Sequence, residues 1–462
     1  MPRGIDAVES TLRPPKNGGP AYCAPHGVFL SLPKPDSRFM LVQLPDRPNL
    51  PGPIARKLTE AYERYATEPL PEHYDTFIRD EFEIDLASEY AGFPVRSPFG
   101  KASGQLSMTR RQVEEDVNAG LGFVVLKTVI AQNETGEQSM SAWASPETKM
   151  VVEPITGRSG ERGWTVSWKG RGWHRSFADY LQLIRDAREV AAESGCLIVP
   201  SCKYHLPASE GEGWNQAEYE YTTRHLWGAW SGDNADEAMP LEKDFSPTLA
   251  GDRLSDVRQQ ILRWLQEVPR LIKSSLPEPA RQIRLGLKLF NTLFDDEFQL
   301  ELLDTIHNSP HRPDYFIYGN RLFDPAREFE GKKGIAYGGP DLSDRNLFVL
   351  NRYRSHSSSA MLPLSATGNI DSGKRAVEYM LAGAENFQLH TFFQLPAKEY
   401  TCRVGNKTHK ALHELYFHPE LGLLAWLTHL HQQLGFESSE ISLRQLVMTI
   451  ANRPVLLDRN RA

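Results

Sequence analysis

The sequence predicts an α/β chain built on a (β/α)8 barrel. Eight short apolar segments alternate with amphipathic stretches over about 300 residues, which is the count that fold requires. Nearly every apolar segment also ends in small, polar or basic residues, and the C-terminal strand ends are where a barrel carries its chemistry. The 34 glycines and 32 prolines belong to a loop-rich enzyme more than to a helical scaffold.

Residues 1–88 read as an N-terminal extension, largely irregular, with proline-rich RPPKNGGPAYCAPHG and LPDRPNLPGP and one helical pattern, IARKLTEAYERYA. The barrel is expected over 89–396. Its strands are SPFGKASG, LGFVVLKT, CLIVPSC, PLEKDF, IRLGLKLF, DYFIYGN, LPLSATG and NFQLHTFF. Among the helices, Thr109 and Gln112 fit a capping box, in which each side chain satisfies a backbone amide near the other. FADYLQLIRDAREVAAES, LSDVRQQILRWLQEVPRLI and DEFQLELLDTI carry apolar residues at helical spacing. GKRAVEYMLAG closes on Gly383, where a left-handed C′ residue belongs. Residues 397–462 read as a C-terminal helical segment that packs on the barrel or on a second subunit, so a homodimer is an expected assembly.

The formal charge of −7 and the lack of a long basic run argue against nucleic acid as a partner. No apolar run approaches the roughly 18–20 residues of a membrane span, and the N-terminus lacks an apolar leader. Cys23, Cys196, Cys202 and Cys402 are scattered with no C-x-x-C pair, so no zinc or iron–sulfur site is expected. A cytoplasmic protein with reduced thiols is the simplest expectation.

The strand ends supply the candidate site. Ala102-Ser103-Gly104 closes the first strand with residues that let a flat ligand approach the backbone; an ordinary tight turn uses the same residues. Lys127 ends the second strand and Lys288 the fifth. A lysine in an apolar strand must be paired or aimed into a polar cavity, so the two either form a cationic mouth or pair with acids such as Glu242. Ser246 before Pro247 reads, on pattern alone, as a plain turn. The seventh and eighth strands end in Ala366-Thr367-Gly368-Asn369 and His390-Thr391, where barrels commonly hold phosphate, and Gly338-Gly339 offers another close approach.

These motifs together resemble the dihydroorotate dehydrogenase family and the related domain of dihydropyrimidine dehydrogenase. SPFGKASG, GFVVLKT, LEKDFSP, GLKLF, YGNRLFDP, AYGGPDL and LSATGNIDSGKRAVEYMLAGAENFQLHT occur in the right order and register over residues 89–396. The resemblance implies FMN at the barrel mouth. Ala102, Ser103 and Gly104 would contact the flavin, Lys127 would lie near flavin and substrate, and Lys288 would support the anion of the reduced flavin, so that both lysines join Ser246 as catalytic residues. Gly339, Gly368, Asn369, His390 and Thr391 match contacts to the FMN phosphate, although Asn369 and His390 stand where the family has glycine. Ser246 occupies the position of the catalytic base.

The substrate half departs from the family. Lys243 stands in place of an asparagine, Phe316-Ile317 in place of an Asn-Ser or Asn-Thr pair, and WKGRGWHRSF in place of asparagine-rich loops. A site that loses the hydrogen-bonding partners of a ring does not keep the same ligand, so dihydroorotate is not the expected substrate. Lys243, Lys203, His205 and Asn320 are the candidate substrate contacts, with a surface loop as the alternative for residues 203–205. Trp164, Trp168, Trp173 and His174 could form an aromatic lid or simply pack beneath a loop. The expectation is an FMN-dependent oxidoreductase acting on a carbon–carbon bond beside a carbonyl or carboxylate. Its substrate would be small and polar, with a diffusible electron acceptor or donor. A flavin-dependent isomerase or transferase without net redox is the alternative, and a non-catalytic binding barrel a third.

Overall fold

The computed structural model describes residues 40–42, 44–144, 150–168, 172–232, 237–245, 258–277, 283–291, 295–329, 331–356, 361–436, 438–452 and 455–457. Ser246 and Trp168's side chain lie outside the described parts. All eight expected strands form. They are β1 (Phe99–Lys101), β2 (Phe123–Val125, resumed as Val129–Ile130), β3 (Leu197–Val199, resumed as Ser201–Lys203) and β4 (Met239–Asp244). Then come β5 (Ile283–Lys288), β6 (Tyr315–Tyr318), β7 (Leu364–Thr367) and β8 (Ala384–Leu389). Each pairs in parallel with its sequence neighbour, and β8 pairs with β1. The sheet therefore curls into a TIM-barrel-like arrangement.

Helices return the chain between these strands, as parallel pairing demands. They are α1 (Arg110–Asn118), α2 (Phe177–Ala191), α3 (Gln216–Ser231), α4 (Arg258–Ser274), α5 (Asp296–Asn308), α6 (Pro340–His356) and α7 (Gly373–Leu381). Local chemistry sets their starts. Ser176 and Asp179 close a full capping box on α2. On α1, Thr109 Oγ1 accepts from the Gln112 amide, but Gln112 Oε1 accepts from the amide of Met108 rather than that of Thr109. The expected reciprocal box is thus displaced by one residue. Gly383, at φ +106°, follows the end of α7 as expected.

Inside the barrel, Phe123, Val125, Val199, Tyr315 and Ile317 form an apolar cluster separate from the outer core. The hairpin Ser88–Tyr90/Phe93–Val95 inserts Tyr90 among them, its ring 4.5 Å from Phe123 and 5.2 Å from Tyr315. Gly100 in β1 and Gly286 in β5 make room for the Phe123 and Tyr315 rings, since a Cβ at either position would strike those rings. This plug closes the end of the barrel opposite the polar strand ends.

Beyond β8, Lys407–Phe417, Leu423–Gln433 and Leu443–Asn452 are helical and join the main core through residues such as Leu412, Tyr416, Trp426 and Leu446. Tyr416 reaches the first strand, its hydroxyl 2.6 Å from Ser97 Oγ and its ring edge-on to Phe99. The helix Gly52–Tyr65 covers most of the helical pattern expected near the N-terminus.

Candidate functional site

The C-terminal strand ends surround a cavity of about 460 Å³, within the usual range for small-molecule sites. Ala102, Ser103, Gly104, Lys127, Lys288, Asn320, Gly339, Gly368, Asn369, His390 and Thr391 all line it. Residues separated by as many as 289 positions in the chain are thereby brought to one wall (Ala102 to Thr391).

The floor beneath is a buried polar layer. Lys288 Nζ lies 3.1 Å from Glu242 Oε1 and 3.3 Å from Gln388 Oε1. Gln388 Nε2 donates to Glu242 Oε2 at 3.0 Å and to the Tyr90 hydroxyl at 3.1 Å. Parallel register sets Glu242 opposite Gly286 and Asp244 opposite Lys288, so both carboxylates point into the barrel. Lys288 is therefore both paired with an acid and part of the cavity wall, joining the two outcomes the sequence left open.

Lys127 differs. It is 3% exposed, lines the cavity, and its ammonium makes no hydrogen bond or ion pair among the described residues. Burial holds its pKa down at about 7; Asp244 opposes that shift, while Lys203 and Lys288 add to it. Ser103, Thr128 and Ser201 form a hydroxyl chain beside it, with 2.8 Å and 3.0 Å between successive oxygens.

Three of the expected substrate contacts lie off the cavity wall. Lys243 points the opposite way from Glu242 and Asp244, as strand alternation requires. It is fully buried, donating to the Asp244 carbonyl at 3.1 Å and lying 4.4 Å from the Phe245 ring centre. Lys203 stands one layer behind the wall, 3.4 Å from Asp244 and 5.1 Å from the Trp143 ring centre. His205 is engaged in the loop beyond β3, its Nε2 3.0 Å from Glu212 and its Nδ1 accepting from the Asn215 amide. Asp244 takes the wall position that Lys243 was expected to hold.

The glycines have reasons within the protein. A Cβ at Gly104 would collide with Nε2 of His390, so that close approach is made by the imidazole. At Gly368 (φ +104°) a side chain would meet the Gly319 carbonyl and Asn346, and at Gly339 (φ +98°) it would meet Ile155. Asn369 itself adopts φ +51° and donates to Ser343 Oγ at 3.0 Å. His390 Nδ1 accepts from Gln394 Nε2 at 2.7 Å, which leaves the ring proton on Nε2. Burial, reinforced by Lys101, Lys127, Arg321 and Lys288, pushes its pKa well below the usual histidine value. His390 is thus a neutral donor, not a cation for a phosphate.

Two antiparallel hairpins roof the cavity: Met150–Thr156/Arg162–Trp168 and Leu322–Phe329/Lys332–Tyr337. The first occupies the stretch read from sequence as an aromatic loop. Trp164 lines the cavity, whereas Trp173 is buried against Tyr180 and donates to the Ser176 carbonyl. Neither Trp173 nor His174 lines the cavity. Arg321, unremarked in the sequence, donates to the carbonyls of Val166 and Ala336 and so joins the two hairpins. At the far rim, burial raises Asp371 to about pKa 6 against the attraction of Arg375. Among the described residues no cluster of three or more His, Cys, Asp or Glu is poised to hold a metal, and no helix is long and apolar enough to cross a membrane.

Comparison of the chain with protein-family models and with curated proteins finds no match.

Proposed function

We propose that this chain is an FMN-dependent oxidoreductase with a dihydroorotate dehydrogenase-like barrel. It would act on a carbon–carbon bond adjacent to a carbonyl or carboxylate, in a small polar substrate other than dihydroorotate. One observation carries the reading: every position that the resemblance assigns to the cofactor lines a single cavity at the strand ends.

The cavity's chemistry fits a ligand with a planar apolar body and polar edges. Trp164, Phe290, Ile335 and Leu395 supply apolar wall, while Lys127, Lys288, Ser103, Thr128 and Thr391 supply donors. FMN, when bound, supplies two-electron chemistry and takes up or gives hydride. Lys288, held between Glu242 and Gln388, would present a fixed positive charge to developing anionic character. Backbone and hydroxyl groups at Gly339, Gly368, Asn369 and Thr391, with neutral His390, would hold the phosphate. The two hairpins would exclude water from the reacting centre. Ser246, two residues beyond Asp244 in the chain, would serve as acid and base toward the substrate carbon, a contribution typically worth about 10²–10⁴ in rate. Asn320 and Asp244 are the substrate contacts favoured by the cavity lining, in preference to Lys243, Lys203 and His205.

The test is the absorbance spectrum of freshly purified protein, with any released chromophore identified by mass. Flavin absorbance from FMN supports the assignment, and anaerobic bleaching by candidate substrates would then separate net redox from flavin-dependent isomerisation. A colourless protein that does not take up added FMN would refute it.

A further inference from the structure

Three lysines approach the β2–β5 side of the cavity, and two have carboxylate partners: Lys203 with Asp244 at 3.4 Å and Lys288 with Glu242 at 3.1 Å. Lys127 has none among the described residues, yet it is the one whose amine opens into the cavity from a nearly fully buried stem. Retaining a buried, unpaired ammonium is costly, and the cost is removed when the group sheds its proton. The same surroundings, desolvation and adjacent cations, activate lysine as a nucleophile in imine-forming enzymes.

We propose that Lys127 is a nucleophilic amine that captures small anionic carbonyl compounds as an imine. This goes beyond the flavin reading and uses nothing from it. The Nζ lone pair adds to the carbonyl carbon to give a carbinolamine; the carbon–oxygen bond then breaks and the oxygen leaves as water. The reaction is a condensation, with no oxidant or reductant. Asp244, 3.4 Å from Lys203, lines the same wall and can take the proton from the attacking nitrogen and return it to the departing oxygen. The anionic preference follows from the rest of the lining: Lys288, Arg321 and Lys333 outnumber Asp244 and Asp371, and His390 is neutral.

Lysine held at about pKa 7 is half neutral at pH 7, whereas an ordinary lysine near 10.4 is neutral in only about one molecule in 2,500. The groups that set this balance are Lys203, Lys288 and Asp244, with Glu242 behind Lys288 and neutral His390 across the cavity.

The experiment treats the full-length protein with glyoxylate and cyanoborohydride at pH 7, then maps carboxymethyl-lysine by peptide mass. Lys127 is expected to be labelled at least about tenfold faster than Lys398, whose side chain is 81% exposed. Its labelling should level off above about pH 8, while labelling of Lys398 continues to climb about tenfold per pH unit. Lys127→Arg should remove that adduct and leave the others. Labelling of Lys398 with Lys127 unmodified, or a pH profile at Lys127 parallel to that at Lys398, would overturn the proposal. Both outcomes are read in the unmutated protein, so a variant that fails to fold does not leave the matter open.

Discussion

Replacing Glu242 with glutamine tests the polar layer beneath the cavity. Glu242 is fully buried and accepts from Lys288 through one carboxylate oxygen and from Gln388 through the other. In Glu242→Gln one oxygen can still face Lys288, but the new amide group is set against Gln388 Nε2, donor against donor. Gln388 cannot turn to relieve this without withdrawing its own oxygen from Lys288 and its nitrogen from Tyr90. The substitution therefore leaves a buried ammonium without its counter-charge, a loss of about 3–5 kcal/mol. Unfolding entropy near 2.1 cal/mol/K per residue gives roughly 1 kcal/mol per degree for 462 residues. The melting temperature should fall by about 3–5 °C in differential scanning calorimetry. Changing both partners, Glu242→Met with Lys288→Met, should recover most of the loss, because apolar replacement of a buried pair is commonly neutral or stabilising. A double variant as unstable as Glu242→Gln would refute the assignment of the loss to an uncompensated charge.

Other consequences are simpler to state. Gly104→Ala should destabilise the cavity wall by about 1–3 kcal/mol through collision with His390, and a second change, His390→Ala, should relieve it in denaturant titrations. Glu385 is raised to about pKa 7 by burial and by the nearby Glu89. The folded state then binds more protons than the unfolded one between about pH 4.5 and 7, so stability should fall as pH rises through that window; Glu385→Gln should flatten the curve. Under the proposed function, Ser246→Ala should leave flavin bound, seen by absorbance, and lower turnover by about 10²-fold or more; full activity would remove its role as base.

The strands were legible because each is a short apolar run bounded by small or polar residues, and the start of α1 was legible because Thr109 caps it locally. Facing was harder. All six residues of β4 are buried, so no alternation of polarity distinguishes Glu242 and Asp244, which point inward, from Lys243, which does not. The pairing of Lys288 spans 46 positions and depends on the register of adjacent strands. Gly104 carried a real signal of close approach, but the approaching group is His390, brought there by the pairing of β8 with β1. The first roofing hairpin did leave a mark: VVEPIT and RGWTVSW flank a glycine-containing turn, the pattern of two strands and a tight connection. In the second, the turn at Gly331 lies in a charged segment with no comparable apolar alternation.

The charge arrangement gives the lysines of one wall different roles in the proposed cofactor binding and the proposed imine chemistry. Lys288 has its counter-charge 3.1 Å away in Glu242 and is thereby held in place, suited to stabilising an anion that forms and disappears beside it. Lys203 is neutralised from behind by Asp244, leaving that carboxylate on the cavity surface. Lys127 feels both cations while having no ion-pair partner among the described residues, and burial with those cations holds its pKa at about 7. Bringing an anion into the cavity would reverse that balance, because a negative charge beside Lys127 favours its ammonium form. Ligand binding and proton uptake by Lys127 are therefore coupled. An anionic ligand that cannot form an imine should bind more tightly below about pH 7 and take up a proton as it binds above it. Calorimetric titration in buffers of different ionisation enthalpy measures that proton directly; binding at pH 8 with no proton uptake would show that the anion does not sit beside Lys127.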